Sequence, residues 1–234
     1  MKRHILAMLA ASCIAGQVSA EPGFLVQPTG QATGSTCQSY ALSVALAFKR
    51  DPAFKLDTAS DLRNAENAIR AAIVKASNGA TSISHDHIKA GFDAYTGGRY
   101  KLVMRDVKLS EIGSTVGQRS GLTSAAVLPA ATVFSANIIK DVVLTSATKI
   151  NNDAYGQGHI FTVLGVDGPP NSAQRMLVLN SGVKIKDTTR NSCEGNLPDD
   201  PGKYTALLSW IPFSAIAFRE FTPGSARVWT IDKK

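Results

Sequence analysis

Between Cys37 and Arg50 the apolar residues Tyr40, Ala41, Val44, Ala45 and Phe48 recur at spacings of three and four, which predicts a helix with one apolar face. A second helix is predicted to start at Thr58-Ala59-Ser60-Asp61, where hydroxyls and a carboxylate can cap free N–H groups. It carries Leu62, Ala65, Ala68, Ile69, Ala72 and Ile73 as its buried stripe up to Ser77. Ser84 is placed to cap a third helix running through Tyr95, stopped by Gly97-Gly98. The pattern then changes period. Tyr100 to Val107 alternates and reads as a strand, and Leu109 to Val116 as a short helix. From Leu122 to Ile150 it is ambiguous: Ala125 to Val133 suits a strand, whereas Ser135 to Leu144 has helical spacing. Ile160 to Val166 and Arg175 to Leu179 read as two strands of an antiparallel hairpin around Pro169-Pro170, with His159 and Asn180 at their neighbouring ends. Thr205 to Trp210 and Arg227 to Ile231 are further strands, and Ile211 to Ala215 a turn or short helix between them. Helices first and strands last predict an α+β domain with its cleft between the two layers.

Composition changes this picture mainly at the N-terminus. Residues 1–20 have Lys2, Arg3 and His4, then an apolar run from Ile5 to Ala11, then Val18-Ser19-Ala20. That order of charge, short apolar stretch and small-x-small site predicts a signal peptide and export, to the periplasm or beyond. Lipid modification at Cys13 is the alternative, with Ala10 standing where a larger aliphatic residue is usual. Residues 21–234 are then one domain, long enough for a sizeable core. No stretch reaches the roughly 18 apolar residues of a membrane span, so no stable membrane insertion is expected. Loss of Lys2 and Arg3, with no acid in the leader, takes the formal charge from +7 to +5. The remaining cations are scattered, and even Lys184, Lys186 and Arg190 lack interleaved aromatics, which argues against nucleic acid as a partner.

The candidate chemistry starts at Cys37, where the loop Gln31-Ala32-Thr33-Gly34-Ser35-Thr36 runs into the first helix. A helix N-terminus favours a thiolate and offers free N–H groups, so a cysteine there suits a nucleophile. Gln31, six residues upstream, supplies an amide donor for an oxyanion hole alongside the Cys37 N–H. His159 stands before an apolar strand and Asn180 at the end of the next, as a base and its orienting amide would. Each has a plainer reading. Gln31 can be a surface residue, His159 a structural histidine and Asn180-Ser181-Gly182 a turn. Cys37 and Cys193, the two cysteines left after the leader, can form a structural disulfide across 155 intervening residues, or a reversible latch on the thiol. His85-Asp86-His87 reads as the polar first turn of the third helix rather than a metal site, and no phosphate-binding glycine loop or zinc-type cysteine spacing is present. No cofactor and no metal are implied.

On three windows, Gln31 to Phe48, Gly158 to Asp167 and Met176 to Gly182, the chain resembles papain-like cysteine peptidases. In that superfamily a Gln six residues before the Cys builds the oxyanion hole, the Cys opens the central helix, and His and Asn follow on adjacent strands. Gly158-His159 with Gly165-Val166-Asp167 is similar to the histidine strand of its bacterial branches. The chain departs from the plant and animal enzymes in having Gln38 after the Cys and Gly182 after Asn180-Ser181, where those have Trp. The resemblance implies a papain-like fold, an N-terminal helical layer whose central helix packs on a C-terminal antiparallel sheet. It implies peptide-bond hydrolysis through Cys37, His159 and Asn180, with Gln31 in the oxyanion hole and a peptide or protein as substrate. A cell-wall peptide amidase, an acyl transferase, and a non-catalytic secreted binding protein braced by Cys37–Cys193 are the alternatives. Tyr155-Gly156-Gln157-Gly158 and the surroundings of Trp210 are the expected groove. Oligomeric state is left open by the sequence.

Overall fold

The computed structural model describes residues 30–32, 35–49, 51–117, 137–151, 153–166, 175–184 and 204–234. The leader, Cys13, Cys193 and the segment Ala125 to Val133 lie outside them.

Three helices come first. α1 (Cys37–Phe48) is buried almost all round, from Ser39 to Leu46, as a helix enclosed by other elements must be. α2 (Ala59–Ser77) opens on a reciprocal capping box: Asp61 N–H donates to Thr58 Oγ1 at 3.1 Å and Thr58 N–H to Asp61 Oδ2 at 2.9 Å. Its buried stripe is Leu62, Ala65, Glu66, Ile69 and Ile73, whereas Ala68 is exposed and Ala72 half-buried, so the expected stripe is rotated and takes in a carboxylate. α3 (His85–Tyr95) is capped by Ser84, with His87 Nδ1 accepting from the Ser84 N–H at 3.2 Å. α3 crosses α2 at Gly91, where a Cβ would stand 2.5 Å from Ile73 Cα. Gly97 and Gly98, with φ of 59° and 75°, then turn the chain into the sheet.

Among the described residues the sheet has seven antiparallel strands: β1 (Tyr100–Lys108), β2 (Asn137–Ile150), β3 (Asp153–Val166), β4 (Arg175–Lys184), β5 (Tyr204–Pro212), β6 (Ile216–Phe218) and β7 (Ser225–Lys233). Their order is β1-β7-β2-β3-β4-β5, with β6 pairing off this path to β2. A 3₁₀ turn and the short α4 (Ile112–Gly117) follow β1. The class is α+β, as expected.

Both faces of the sheet are covered. Leu144, Leu164, Leu177, Leu179, Trp229 and Ile231 pack with the three helices, while Val143, Phe161, Val163, Met176, Val178 and Val228 form a second core on the other side. Of the ambiguous middle of the chain, Ser135 to Leu144 has helical spacing, but β2 runs as a strand from Asn137. From Val143 to Ala147 every position of β2 is buried, so no period of two marks it there. The hairpin strands are also longer than predicted, so His159 and Asn180 fall inside β3 and β4 rather than at their ends. β6, three residues long, is too short to leave a pattern.

Candidate active site

β3 reaches His159 through an irregular stretch. Ala147 of β2 opposes His159, but Lys149 opposes Ala154, so the β3 backbone bulges just before the histidine. Gly158 sits in that bulge at φ +89°, and a Cβ on it would meet the Arg219 side chain at 2.9 Å, so glycine is required there. From His159 to Val163 the pairing is regular, and the imidazole is fully buried.

His159 Nε2 lies 2.8 Å from Asn180 Oδ1. The same oxygen accepts the Gly182 N–H at 3.0 Å, and Asn180 Nδ2 donates to the Tyr155 hydroxyl at 2.8 Å. A backbone N–H can only donate, so it identifies that atom as the amide oxygen. Nε2 therefore carries the imidazole proton, and Nδ1 is the basic nitrogen. The Tyr155 ring stacks on the imidazole, centroids 4.4 Å apart and planes 18° from parallel. Tyr155, expected to line an open groove, is instead buried as a wall of the histidine site. Burial pushes the His159 pKa down to about 4, against the opposing pull of the Asn180 hydrogen bond.

Gln31 is buried too, so its plainer reading as a surface residue does not hold. Its N–H donates to Ser181 O at 3.1 Å, and its Oε1 accepts from Ser181 Oγ at 3.0 Å. With the oxygen end engaged by Ser181, the donor end of the amide points elsewhere. Asn180 and Ser181 are thus adjacent on β4, one holding the histidine and the other the glutamine. Strand alternation sets Asn180 on the side of Met176 and Val178, and just after it the pairing of β4 with β5 shifts register, so Ser181 lies in an irregular stretch.

Cys37 stands at the head of α1, the helix that packs against β2, β3 and β4. It is buried, and its sulfur is held in a disulfide whose other half lies outside the described residues. Sγ is 3.4 Å from Gln38 Oε1, a contact that a bridged sulfur, having no proton, makes without donating. The structure therefore joins His159 to Asn180 and Gln31 to the residue beside Asn180, and gives Cys37 as a bridged sulfur rather than a free thiol.

Three residues of this region escaped the sequence reading, and a fourth, Tyr155, was expected in the groove rather than against the imidazole. Ser181 gave no signal beyond its neighbours. Glu66 did: it lies four residues after Leu62 and three before Ile69, a charge at a stripe position of α2. Arg63 accompanies it, with Nη1 2.6 Å from Glu66 Oε2. His85, read as part of a polar first turn, receives Arg227 Nη1 at 2.8 Å from its Nδ1 and packs edge-on to Trp229, away from these residues. No group of three or more metal-ligating side chains occurs among the described residues.

Compared with protein-family models, curated proteins and solved structures, the chain has no significant match.

Proposed function

We propose that this chain is an exported papain-like cysteine peptidase that hydrolyses peptide bonds, and that the bridged form described above is its silent state. The observation that carries the reading is the His159–Asn180 pair, whose amide oxygen is fixed by the Gly182 N–H so that Nδ1 is the basic nitrogen. A base oriented in this way is what a thiol nucleophile requires. The docking of Gln31 on Ser181, one residue further along β4, supports the same reading.

A sulfur in a disulfide cannot become a thiolate, so an external dithiol must first exchange with the bridge, leaving Cys37 and its former partner as thiols and the reductant as a disulfide. The Cys37 thiolate then attacks the substrate carbonyl carbon, with the thiol proton held on His159. The developing oxyanion takes hydrogen bonds from the Cys37 N–H and the Gln31 amide, each donor contributing roughly 3 kcal/mol to the transition state. His159 returns the proton to the leaving amine, which departs and leaves a thioester on Cys37. Water, deprotonated by His159, hydrolyses that thioester and restores the thiol. Asn180 keeps the imidazole in the tautomer these steps use.

The second reading is a non-catalytic scaffold, favoured by the Cys37 disulfide itself. The two are separated by a panel of peptides and muropeptides assayed with and without dithiothreitol, next to Cys37→Ala. Turnover that needs both the reductant and Cys37 supports the peptidase. Absence of turnover in every arm, with a fold that survives only while oxidised, supports the scaffold.

A further inference from the structure

Glu66 is fully buried on α2, among positions otherwise filled by Leu62, Ala65, Ile69 and Ile73. Burial raises its pKa, so a carboxylate there works against the desolvation that an apolar residue of similar size would avoid. Its partners show what the charge does. Oε1 accepts the Ala32 N–H at 2.7 Å, the Thr36 hydroxyl donates to the same carboxylate, and Oε2 binds Arg63 Nη1 at 2.6 Å. Arg63 passes the connection on, with Nη2 donating to Gly30 O at 2.6 Å. One turn beyond Glu66 on α2, Arg70 Nη1 donates to Ser35 O at 2.9 Å. Three charged side chains of one helix therefore hold Gly30, Ala32, Ser35 and Thr36, the residues flanking Gln31 and leading into Cys37.

We propose that Glu66, with Arg63 and Arg70, is the positioning device that fixes Gln31 relative to the Cys37 N–H, so that the two oxyanion donors of the proposed peptidase are held before substrate arrives. The inference rests on that reading. Tyr40, one turn into α1, faces the same carboxylate; its pKa is raised by burial and by the Glu66 charge, and its hydroxyl has no hydrogen-bond partner among the described residues. The charges facing Glu66 are thus Arg63 and Arg70, both cationic, and the device is held together by charge-assisted bonds, which are stronger and more directional than neutral ones.

The test is Glu66→Gln in the full chain, which keeps the volume and an acceptor for the Ala32 N–H but removes the charge. Three readouts are taken on reduced protein. Hydrogen exchange is measured at Ala32 and Ser35 to Cys37, hydrolysis of a peptide substrate is resolved into kcat and KM, and the rate of Cys37 alkylation by iodoacetamide, which needs no oxyanion hole, is followed. The inference expects exchange in that segment to rise at least about tenfold with the sheet unaffected. It expects kcat to fall about 10- to 100-fold, short of the full loss of one oxyanion donor, with KM and alkylation within about threefold. Rescue in Glu66→Asp should be partial. Unchanged exchange overturns the positioning claim, and an equal fall in kcat and alkylation shows general collapse and overturns it as well. A wild type without turnover sinks the peptidase reading and the catalytic purpose, and is told apart because exchange reads the positioning without turnover. Arg70→Gln, half-buried and one contact away, gives the same readouts if Glu66→Gln fails to fold.

Discussion

His159 is neutral in the folded protein down to about pH 4, whereas in the unfolded chain it takes a proton near 6.5. The sign follows from which state binds the proton first. As pH falls below 6.5 the unfolded chain is protonated and the native state is not, so stability is complete above 6.5 and is lost progressively toward pH 4. One group displaced this far contributes roughly 2–3 kcal/mol of loss between pH 7.5 and 4.5. Urea unfolding of the oxidised protein at those two pH values is expected to show that loss, and His159→Gln to be flatter by about the same amount. Equal slopes would mean that the imidazole is already charged in the fold. Around this ring the chain was only partly legible. Gln31, Cys37, His159 and Asn180 stand out because each has a local setting that chemistry would choose. Tyr155 and Ser181 do not, since a tyrosine before Gly-Gln-Gly and a serine after an asparagine are ordinary until the fold stacks one on the imidazole and docks the other on Gln31.

At the scale of elements, the α2–α3 crossing depends on Gly91. Alanine normally favours a helix interior over glycine by about 1 kcal/mol. Here its methyl would stand 2.5 Å from Ile73 Cα and 2.6 Å from Ile73 N, backbone atoms that cannot turn aside as a side chain would. The steric term wins, and Gly91→Ala is expected to destabilise the protein by about 1–3 kcal/mol, read as a lower urea midpoint with an unchanged slope. A stabilised variant would mean that the helices stand further apart. Helix starts were readable for a local reason: Thr58 with Asp61 and Ser84 with His87 are capping signals complete within four residues. The strands were harder, because their boundaries are set by partners distant in the chain. Pairing with β3 and β7 draws β2 across a stretch of helical spacing, and pairing with β5 carries β4 past Asn180. Glu66 shows the converse. Its place on the apolar stripe was visible in the sequence, but its purpose depends on a loop 34 residues away that only the folded chain brings to it.

For the whole molecule, the helical layer and the sheet meet where α1 crosses β2, β3 and β4, and the residues proposed for catalysis are divided between them: Gln31 and Cys37 at the head of α1, His159 and Asn180 within the sheet. In the oxidised protein Cys37 is a bridged sulfur. Reduction is therefore expected to do more than expose a nucleophile. In the proposed peptidase it frees a thiolate to pair with the imidazole that burial keeps neutral, and in such a pair the opposite charge raises the His159 pKa from about 4 while lowering that of Cys37. The central claim, that Cys37 and His159 form such a pair, is tested most directly by the pH dependence of Cys37 alkylation with iodoacetamide in the fully reduced protein. The modified peptide is identified by mass, and His159→Ala is run alongside. The account predicts that wild-type Cys37 reacts well below pH 7 and that the histidine variant shifts to the ordinary thiol range near 8.5. Titration near 8.5 in both proteins would contradict it, and would leave the disulfide as a structural brace.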